Sequence, residues 1–312
     1  MKCVFSYFDL HICLSSCNLR IVEYCVDYFK NYFECFGAAE NISFWVELLE
    51  NDEVDPHFRQ IHTETAPFPI YYCETEKRII LTNIDDTDAH EVMRLLRELF
   101  ISHISGKKEL LFLHAACVAN KNYAIAITGD KYSGKTTLCL EFLKNGWDYV
   151  SNDKLILQQK RNGRIACWGL PIALGIREAT RQIFNQELTG LTIDKYDKRY
   201  YITPNRLIER FGIDVQNDCP LKLIIVPQYC ESITTTHIQE IPRDEKRLII
   251  RKQHMDSLYA EKRMLRRGLI PYEKNPWDCL GSIPMYRITF GKLCNYEKVN
   301  IIETAIKRID NG

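Results

Sequence analysis

The pattern of apolar and polar positions is most regular in the middle of the chain. Residues 110–118 and 123–128 form two continuous apolar runs, and the short polar turn 120–122 joins them. Two such runs on either side of a short turn predict a β-hairpin whose strands are buried on both faces. The second run leads directly into a loop with two glycines, so the hairpin is expected to present that loop at the edge of a sheet.

A helix is predicted after the glycine-containing loop. The apolar residues of this segment recur at helical spacing: Leu138, Cys139, Phe142 and Leu143. Gly146 is a typical helix stop because glycine readily adopts the left-handed conformation that ends many helices. Residues 150–157 and 221–226 then predict two further buried strands. The whole segment from residue 109 to the C-terminus is therefore expected to form one α/β domain, 109–312.

The first hundred residues have a different texture and predict a smaller α+β domain, 1–105. Residues 3–8 read as a strand, and the aromatic-rich segment 21–36 fits either a strand or a helix. Residues 70–73 and 78–81 predict a pair of strands around a charged turn. Residues 86–105 predict a helix, with acidic capping residues at 85–88. A boundary is expected at residues 105–108, where glycine and lysines follow the helix.

Composition excludes several classes of partner. The 41 basic and 41 acidic residues cancel, so nothing in the overall charge favours a nucleic acid or an acidic membrane. No segment reaches the 18 or more apolar residues that a membrane span requires. Most of the 13 cysteines lie in apolar runs and no secretory signal is visible, which predicts reduced thiols and a cytoplasmic protein.

Two polar features have ordinary explanations. His11, Cys13 and Cys17 have the spacing of half a zinc site, but no second ligand pair with similar spacing follows, so buried thiols are favoured. Residues 243–267 carry nine basic and four acidic side chains on a predicted helix. A solvated helix face is the favoured interpretation of that segment, and attraction of an acidic peptide or a nucleotide is the alternative.

The main chemical signal is a phosphate-binding loop. Its residues are Gly129, Asp130, Lys131, Tyr132, Ser133, Gly134, Lys135 and Thr136. In this pattern Gly129 allows a backbone conformation closed to other residues, and Gly134 lets the backbone approach phosphate oxygens without a Cβ atom. The amides of the loop and the N-terminus of the following helix present donors and partial positive charge to an anion. A strand before the loop and an amphipathic helix after it are the context that this motif requires.

The side chains of the loop predict ATP and Mg²⁺ as ligands. Lys135 is expected to be an exposed lysine that reaches the β- and γ-phosphates, and the Thr136 hydroxyl is expected to ligate Mg²⁺. Ser133 and Thr137 offer further hydroxyl contacts.

Three segments together resemble HPr kinase/phosphorylase and its kinase relatives, including kinases of lasso-peptide precursors. They are Leu113-His114-Ala115-Ala116, the phosphate loop, and Gly146 followed by Val150-Ser151-Asn152-Asp153. The resemblance implies a P-loop domain of the HPr kinase C-terminal and phosphoenolpyruvate-carboxykinase type. It also implies transfer of the γ-phosphoryl group of ATP to a hydroxyl, usually that of serine. His114 and the pair Asn152–Asp153 would stand at that hydroxyl, and Asp153 would also be available to Mg²⁺.

The sequence departs from the family at several positions. Asn152 stands where the family has the first acid of a pair, and Thr137 stands where HPr kinases have glutamate. Gly169-Leu170-Pro171 followed by Arg177, a candidate phosphate clamp, is only a loose counterpart of the family's glycine-rich signature. HPr itself and the phosphorylase reaction are therefore not expected.

The expected function is phosphorylation of a seryl hydroxyl on a peptide or protein, such as a ribosomally made peptide precursor. Two alternatives stay open at this point, a kinase for a small metabolite and a nucleotide-binding regulatory protein without transferase activity. Assembly into a homo-oligomer is also left open by the sequence.

Overall fold

The computed structural model describes residues 1–311 except for 38–40, 52, 62–66, 106, 108, 196, 256–279 and 292–296. The chain divides into two compact units, one that carries Met1–Lys107 and one that carries Lys108–Asp256 with the C-terminal segment. Both units combine helices with a mixed β-sheet, so the fold class is α/β in the broad sense that the sequence predicts.

The first unit is built on one mixed sheet with the strand order β3-β1-β2-β4-β7-β6-β5. The strands are β1 (Lys2–Tyr7), β2 (Leu10–Ser15), β3 (Glu34–Phe36), β4 (Phe44–Leu49), β5 (Arg59–Ile61), β6 (Ile70–Cys73) and β7 (Arg78–Thr82). β1 and β2 form an antiparallel hairpin, whereas β4 runs parallel to both β2 and β7. The predicted pair around a charged turn is confirmed as the antiparallel β6–β7 hairpin.

Two helices complete the first unit, α1 (Leu19–Phe29) and α2 (Ala89–Ser105). α1 begins after Asn18, whose side chain accepts from the amides of Arg20 and Ile21, which are two of the donors that a helix start leaves unpaired. The segment 21–36, which fitted either a strand or a helix, contains most of α1 and then β3. The predicted helix over 86–105 is confirmed as a short 3-10 turn followed by α2, with Asp85 as the capping residue.

The second unit holds a larger branched sheet with the order β11-β9-β10-β16-β13-β12-β8, to which β18 and β17 are added at β16. The strands of this unit are β8 (Leu110–Leu113), β9 (Ala115–Ala119), β10 (Ala124–Thr128), β11 (Asp148–Ser151), β12 (Leu155–Gln159), β13 (Ile165–Trp168), β14 (Leu174–Ile176), β15 (Tyr200–Ile202), β16 (Cys219–Tyr229), β17 (His237–Glu240) and β18 (Met285–Phe290). β14 and β15 pair with each other in a separate two-stranded sheet. The helices of the unit are α3 (Lys135–Lys144), α4 (Glu178–Ile183), α5 (Pro204–Phe211), α6 (Arg243–Gln253) and α7 (Glu297–Asn311).

β16 organises this sheet because its three parts have different neighbours. Its start pairs with β13, its middle runs parallel to β10, and its second half runs parallel to β18. The strand is longer than the predicted 221–226 and passes through Pro227. Proline is tolerated there because the pairing with β10 has ended at Ile225, so that side of the strand needs no amide donor.

Two segments that the sequence predicted as single strands are each divided into two strands. Residues 110–118 form β8 and β9, which pair with different strands, β12 and β10 respectively, and His114 lies at the break. Residues 150–157 form parts of β11 and β12, separated by a turn that contains Asp153. The expectation of single strands is therefore wrong at both places. The hairpin after the first break is confirmed as the antiparallel pair β9–β10.

Two other expectations from the sequence concern the N-terminal cysteines and the basic segment. Cys13 is buried as expected, but Cys17 is exposed and its thiol donates to Glu50 Oε1 at 3.2 Å. Of the basic segment 243–267, α6 covers the first part and residues 256–267 lie outside the described residues. In the part of the chain that the structure describes, no helix combines the length and the apolar composition that a membrane crossing needs.

Candidate active site

The phosphate loop adopts backbone conformations that its glycines make accessible. β10 ends at Thr128, and φ is +143° at Gly129 and +99° at Gly134, immediately before α3. A Cβ atom on Gly134 would lie 2.9 Å from Phe290 Cζ, so this position has no space for a side chain. Its positive φ is also a conformation that residues other than glycine rarely adopt. α3 begins at Lys135 without a side-chain cap, which leaves its first amides available to an anion.

Lys135 is buried against its own loop. Its side chain is only 8% exposed, and Nζ donates to the carbonyls of Gly129 at 2.8 Å and Asp130 at 3.2 Å. The expectation of an exposed lysine is therefore wrong. Burial lowers the pKa of the Lys135 ammonium, although the nearby carboxylates of Asp153 and Asp130 oppose this effect. Lys135 lines the same cavity as Ser133, Thr136 and Thr137.

The loop is also fastened from outside by the end of α6. Asp130 accepts from Lys252 Nζ at 2.8 Å and from Gln253 Nε2 at 3.3 Å, and the hydrogen bond from Lys252 lowers the pKa of the Asp130 carboxyl. The backbone carbonyl of Gln253 accepts from the amide of His114 at 2.8 Å. This part of the basic segment is thus a support of the phosphate loop, a role that the sequence analysis missed because Asp130 and Lys252 are 122 positions apart.

His114 and Asp153 meet across the breaks in the two apolar runs. His114 Nε2 lies 3.3 Å from Asp153 Oδ1, and both side chains are about two-fifths exposed, at 41% and 42%. The carbonyl of His114 accepts from the Thr128 hydroxyl at 2.9 Å, which links this residue to the last residue before the phosphate loop. Asp153 has φ = +61°, an uncommon conformation for a residue other than glycine. Such backbone strain is frequent at functional sites.

The electrostatics of the pair favour an ionised carboxylate. Burial raises the pKa of Asp153, but the hydrogen bond and charge of His114 and the charges of Lys135 and Arg199 outweigh it and hold that pKa below its usual value. The carboxylate is therefore ionised at neutral pH. It stands near the cation of the phosphate loop.

One cavity of about 860 Å³ contains most of the residues that the sequence analysis selected. Those that line it are Lys131, Tyr132, Ser133, Gly134, Lys135, Thr136, Thr137, His114 and Asp153. Asn152 does not line the cavity: it is 4% exposed, and its Oδ1 is buried without a hydrogen-bond partner among the described residues. Gly129 and Asp130 shape the loop from behind, and they too are absent from the lining.

Two arginines add positive charge to the cavity that the phosphate loop lines. The Arg177 guanidinium stacks on the Tyr132 ring with its Cζ 3.7 Å from the ring centroid, and it precedes α4 in the chain. Arg199 also lines the cavity and packs against Gly175. The Thr137 and Thr180 hydroxyls are 2.9 Å apart and join α3 to α4. Arg177 was a candidate phosphate clamp in the sequence, whereas nothing in the sequence pointed to Arg199.

A buried ion pair that the sequence analysis also missed lines the same cavity. Glu141 Oε1 lies 2.7 Å from Lys298 Nζ, and their side chains are 9% and 3% exposed. The Lys298 ammonium also lies 4.5 Å from the centroid of the Phe290 ring. Burial raises the pKa of Glu141, and Lys298 opposes that shift. The one signal for this pair in the sequence was Glu141, a charged residue beside the apolar positions of α3.

Three observations show that the residues present fit a magnesium nucleotide. α3 begins without a side-chain cap and presents its first amides, Lys135 supplies positive charge, and Thr136 and Asp153 provide oxygen ligands in the same cavity. The volume lies within the range of about 300–1,000 Å³ that is usual for small-molecule sites.

Comparison with known proteins gives little beyond these features. No family model matches the chain, and no curated protein does. Among solved structures, the Hpr(Ser) kinase/phosphatase from Coxiella burnetii aligns with 64% of this chain and 99% of its own chain, at 16% identity and a TM-score of 0.33. A TM-score this low assigns neither the detailed fold nor the activity. Membership of the HPr kinase group therefore stays a prediction from the sequence motifs.

Proposed function

We propose that this chain is an ATP-dependent kinase that transfers the γ-phosphoryl group to a seryl hydroxyl of a peptide or protein. The observation that carries the proposal is that the phosphate loop and the His114–Asp153 pair line one cavity. Phosphoryl transfer depends mainly on positioning and on neutralisation of charge, and these two elements supply both requirements.

The phosphate loop and the start of α3 form the half of the site that binds the nucleotide in this proposal. The amides of the loop and of the start of α3 bind phosphate oxygens, and the Lys135 ammonium neutralises part of their charge. Thr136 would hold Mg²⁺, which supplies further positive charge at the phosphates when it is bound. Arg177 and Arg199 add two cations to the lining of the same cavity.

The acceptor half depends on Asp153. Its carboxylate is ionised and partly exposed, so it can accept a hydrogen bond from a hydroxyl and then take its proton as the new O–P bond forms and the bond to ADP breaks. His114 holds the carboxylate in place through Nε2. A single acid is sufficient here, since the transition state is loose and the hydroxyl need not be deprotonated early.

The test is a transfer assay with the full chain, Mg²⁺ and γ-labelled ATP. The acceptors are serine-containing peptides, including those encoded beside the gene, with matched peptides in which alanine replaces serine. Free amino acids and sugars form a separate set of acceptors. The Asp153→Asn variant serves as the matched enzyme control, because it keeps the size of the side chain and removes its charge.

The expected result is label on serine in at least one peptide, and little or none with the alanine peptide or the Asp153→Asn enzyme. Label on small molecules alone would replace the proposal by a metabolite kinase. Tight ATP binding without any labelled acceptor would make the chain a nucleotide-binding regulator. Failure to bind ATP would remove the proposal altogether.

A further inference from the structure

A second group of polar side chains lies in the first unit, far along the sequence from the phosphate loop. The ring of His57, the thiol of Cys73 and the carboxylate of Glu76 place one potential ligand atom each within 4.8 Å of one another. Nothing in the proposed kinase reaction uses these residues. We propose that they form a zinc site, with Asp55 as its supporting carboxylate.

The local fold explains why these side chains meet. Cys73 ends β6 and Glu76 lies in the turn before β7, so two of the ligands come from one tight hairpin turn at a spacing of three. Zinc sites commonly take pairs of ligands at such short spacings. β5 pairs with β6 through Arg59 and Tyr72, and this register brings His57, two residues before Arg59, beside the same turn.

The histidine is oriented for metal binding. Its Nδ1 lies 2.6 Å from Asp55 Oδ1, and its Nε2 lies 2.8 Å from Glu76 Oε1. Histidines that ligate metals almost always donate the other ring N–H to a carboxylate or carbonyl, which fixes the tautomer and strengthens the ligand nitrogen. Asp55 is such a partner, because it also accepts from the His57 amide at 3.1 Å and is thereby held in place.

The donor set selects the metal. A thiolate, an imidazole and a carboxylate together suit Zn²⁺, whereas Mg²⁺ and Ca²⁺ prefer oxygen ligands alone. With bonds of about 2.0–2.3 Å, tetrahedral zinc separates its ligand atoms by roughly 3.3–3.6 Å. The atoms within 4.8 Å therefore need only a small adjustment of exposed side chains, since His57 and Glu76 are 47% and 42% exposed. Binding replaces the thiol proton of Cys73 by the metal and releases that proton to solvent.

The experiment uses the full chain after treatment with a chelator, titrated with Zn²⁺ against a competing chromophoric chelator. The same chain is loaded with Co²⁺, whose thiolate charge-transfer absorption reports a bound cysteine sulfur. The ligand variants are Cys73→Ser, His57→Asn and Glu76→Gln, and Asp55→Asn tests the supporting carboxylate. Glu76 lies in an exposed turn, so its variant keeps the test valid if the buried Cys73→Ser variant fails to fold.

Matched controls come from the same unit. Cys17 is an exposed thiol that also contacts a carboxylate, Glu50, and His90 is an exposed histidine 3.2 Å from Glu91. Neither residue belongs to the proposed site, so Cys17→Ser and His90→Asn are expected to leave zinc affinity and the cobalt spectrum unchanged.

The expected result is one zinc per chain, with affinity lowered at least ~10-fold by each ligand variant and about 10- to 100-fold by Asp55→Asn. Cys73→Ser is expected to abolish the charge-transfer absorption. The proposal is overturned if the wild-type chain takes up no zinc, if Glu76→Gln and His57→Asn bind zinc as the wild type does, or if Cys17→Ser removes the absorption.

Discussion

His114 Nε2 lies 3.3 Å from Asp153 Oδ1, and each of the two residues interrupts what would otherwise be a continuous strand. The interruption gives both side chains access to the cavity, while Leu113 and Ala115 beside His114, and Ser151 and Leu155 at the strand ends around Asp153, stay buried in the sheet. The pair is thus held by two rigid strand ends, which is the kind of support that a catalytic group needs.

Asp153→Asn is expected to impair catalysis, whereas the converse exchange at the adjacent position, Asn152→Asp, is expected to impair folding. Asp153→Asn should lower kcat by at least ~100-fold, the scale of positioned acid–base assistance, with ATP binding largely kept. Asn152→Asp should instead destabilise the fold by several kcal/mol, because it places a carboxylate where Asn152 is 4% exposed. Steady-state kinetics and urea unfolding of both variants measure the two effects. If Asn152→Asp lowered kcat and Asp153→Asn instead destabilised the fold, the chemistry would be placed on Asn152.

The pH dependence of turnover should reflect the lowered pKa of Asp153. Its ordinary value is 3.8, so the carboxylate stays ionised, and supports activity, down to a pH below that value. His114→Ala removes the contact that contributes most to lowering this pKa, and the acid limb of kcat/KM should therefore move to higher pH. The stability that the lowered pKa contributes is complete above the unfolded-state pKa and is lost as pH falls through the folded-state pKa. An acid limb that stays in place in His114→Ala would contradict the assigned pairing.

Lys135→Met is expected to weaken ATP binding about 10- to 100-fold, because hydrogen bonds with charged groups contribute about 1.5–3 kcal/mol each. Methionine preserves the apolar stem that packs in the loop, so the effect reports the ammonium. Isothermal titration with ATP measures it, and Lys121→Met, an exposed lysine in the β9–β10 turn, is the control. ATP affinity equal to that of the wild type would exclude the phosphate loop as the nucleotide site.

Loss of one partner of the Glu141–Lys298 pair should be more damaging than loss of both. Lys298→Met leaves a carboxylate with 9% exposure without its 2.7 Å partner, which is expected to cost about 3–5 kcal/mol of the free energy of unfolding. The double variant Glu141→Gln, Lys298→Met removes both charges and should recover most of that loss. Urea unfolding of the single and double variants gives the coupling energy directly. Additive losses would mean that the pair is not coupled.

The sequence predicted the elements whose signals are local. The β9–β10 hairpin and the phosphate loop follow from apolar runs and glycines within about 30 residues, and the conformations at Gly129 and Gly134 agree with that prediction. The break at His114 was not predicted, since the apolar run around it continues without a turn signal. The break at Asp153 was missed although the polar residues 151–154 are typical of a turn. Local rules commonly fail at functional sites, where a residue is placed for chemistry instead of packing.

Contacts between distant segments could not be predicted from one sequence. Lys252 supports Asp130 from 122 positions away, and Lys298 pairs with Glu141 across the cavity wall. These contacts exist only because the fold packs α7 against α3 and brings the end of α6 to the phosphate loop, and that packing is a property of the whole fold. The burial of Lys135 escaped prediction for a related reason, because the loop folds back over its own lysine.

Gly134 offers a test that separates backbone strain from lack of space. Gly134→Ala places a residue with a side chain at φ = +99° and its Cβ atom 2.9 Å from Phe290 Cζ, whereas Gly163→Ala meets φ = +81° with no atom within 4 Å. Both substitutions should cost about 1–2 kcal/mol of stability for the left-handed backbone.

Only Gly134→Ala should also displace Phe290, and it should therefore lower ATP affinity while Gly163→Ala leaves that affinity unchanged. Combining Gly134→Ala with Phe290→Leu removes the ring that the new methyl group meets. Part of the ATP affinity should then return, although the strain at the backbone remains. Calorimetric titration with ATP and thermal unfolding of the three variants and the wild type distinguish these effects. If Gly163→Ala weakened ATP binding as much as Gly134→Ala does, the loss would come from general destabilisation instead of the geometry of the phosphate loop.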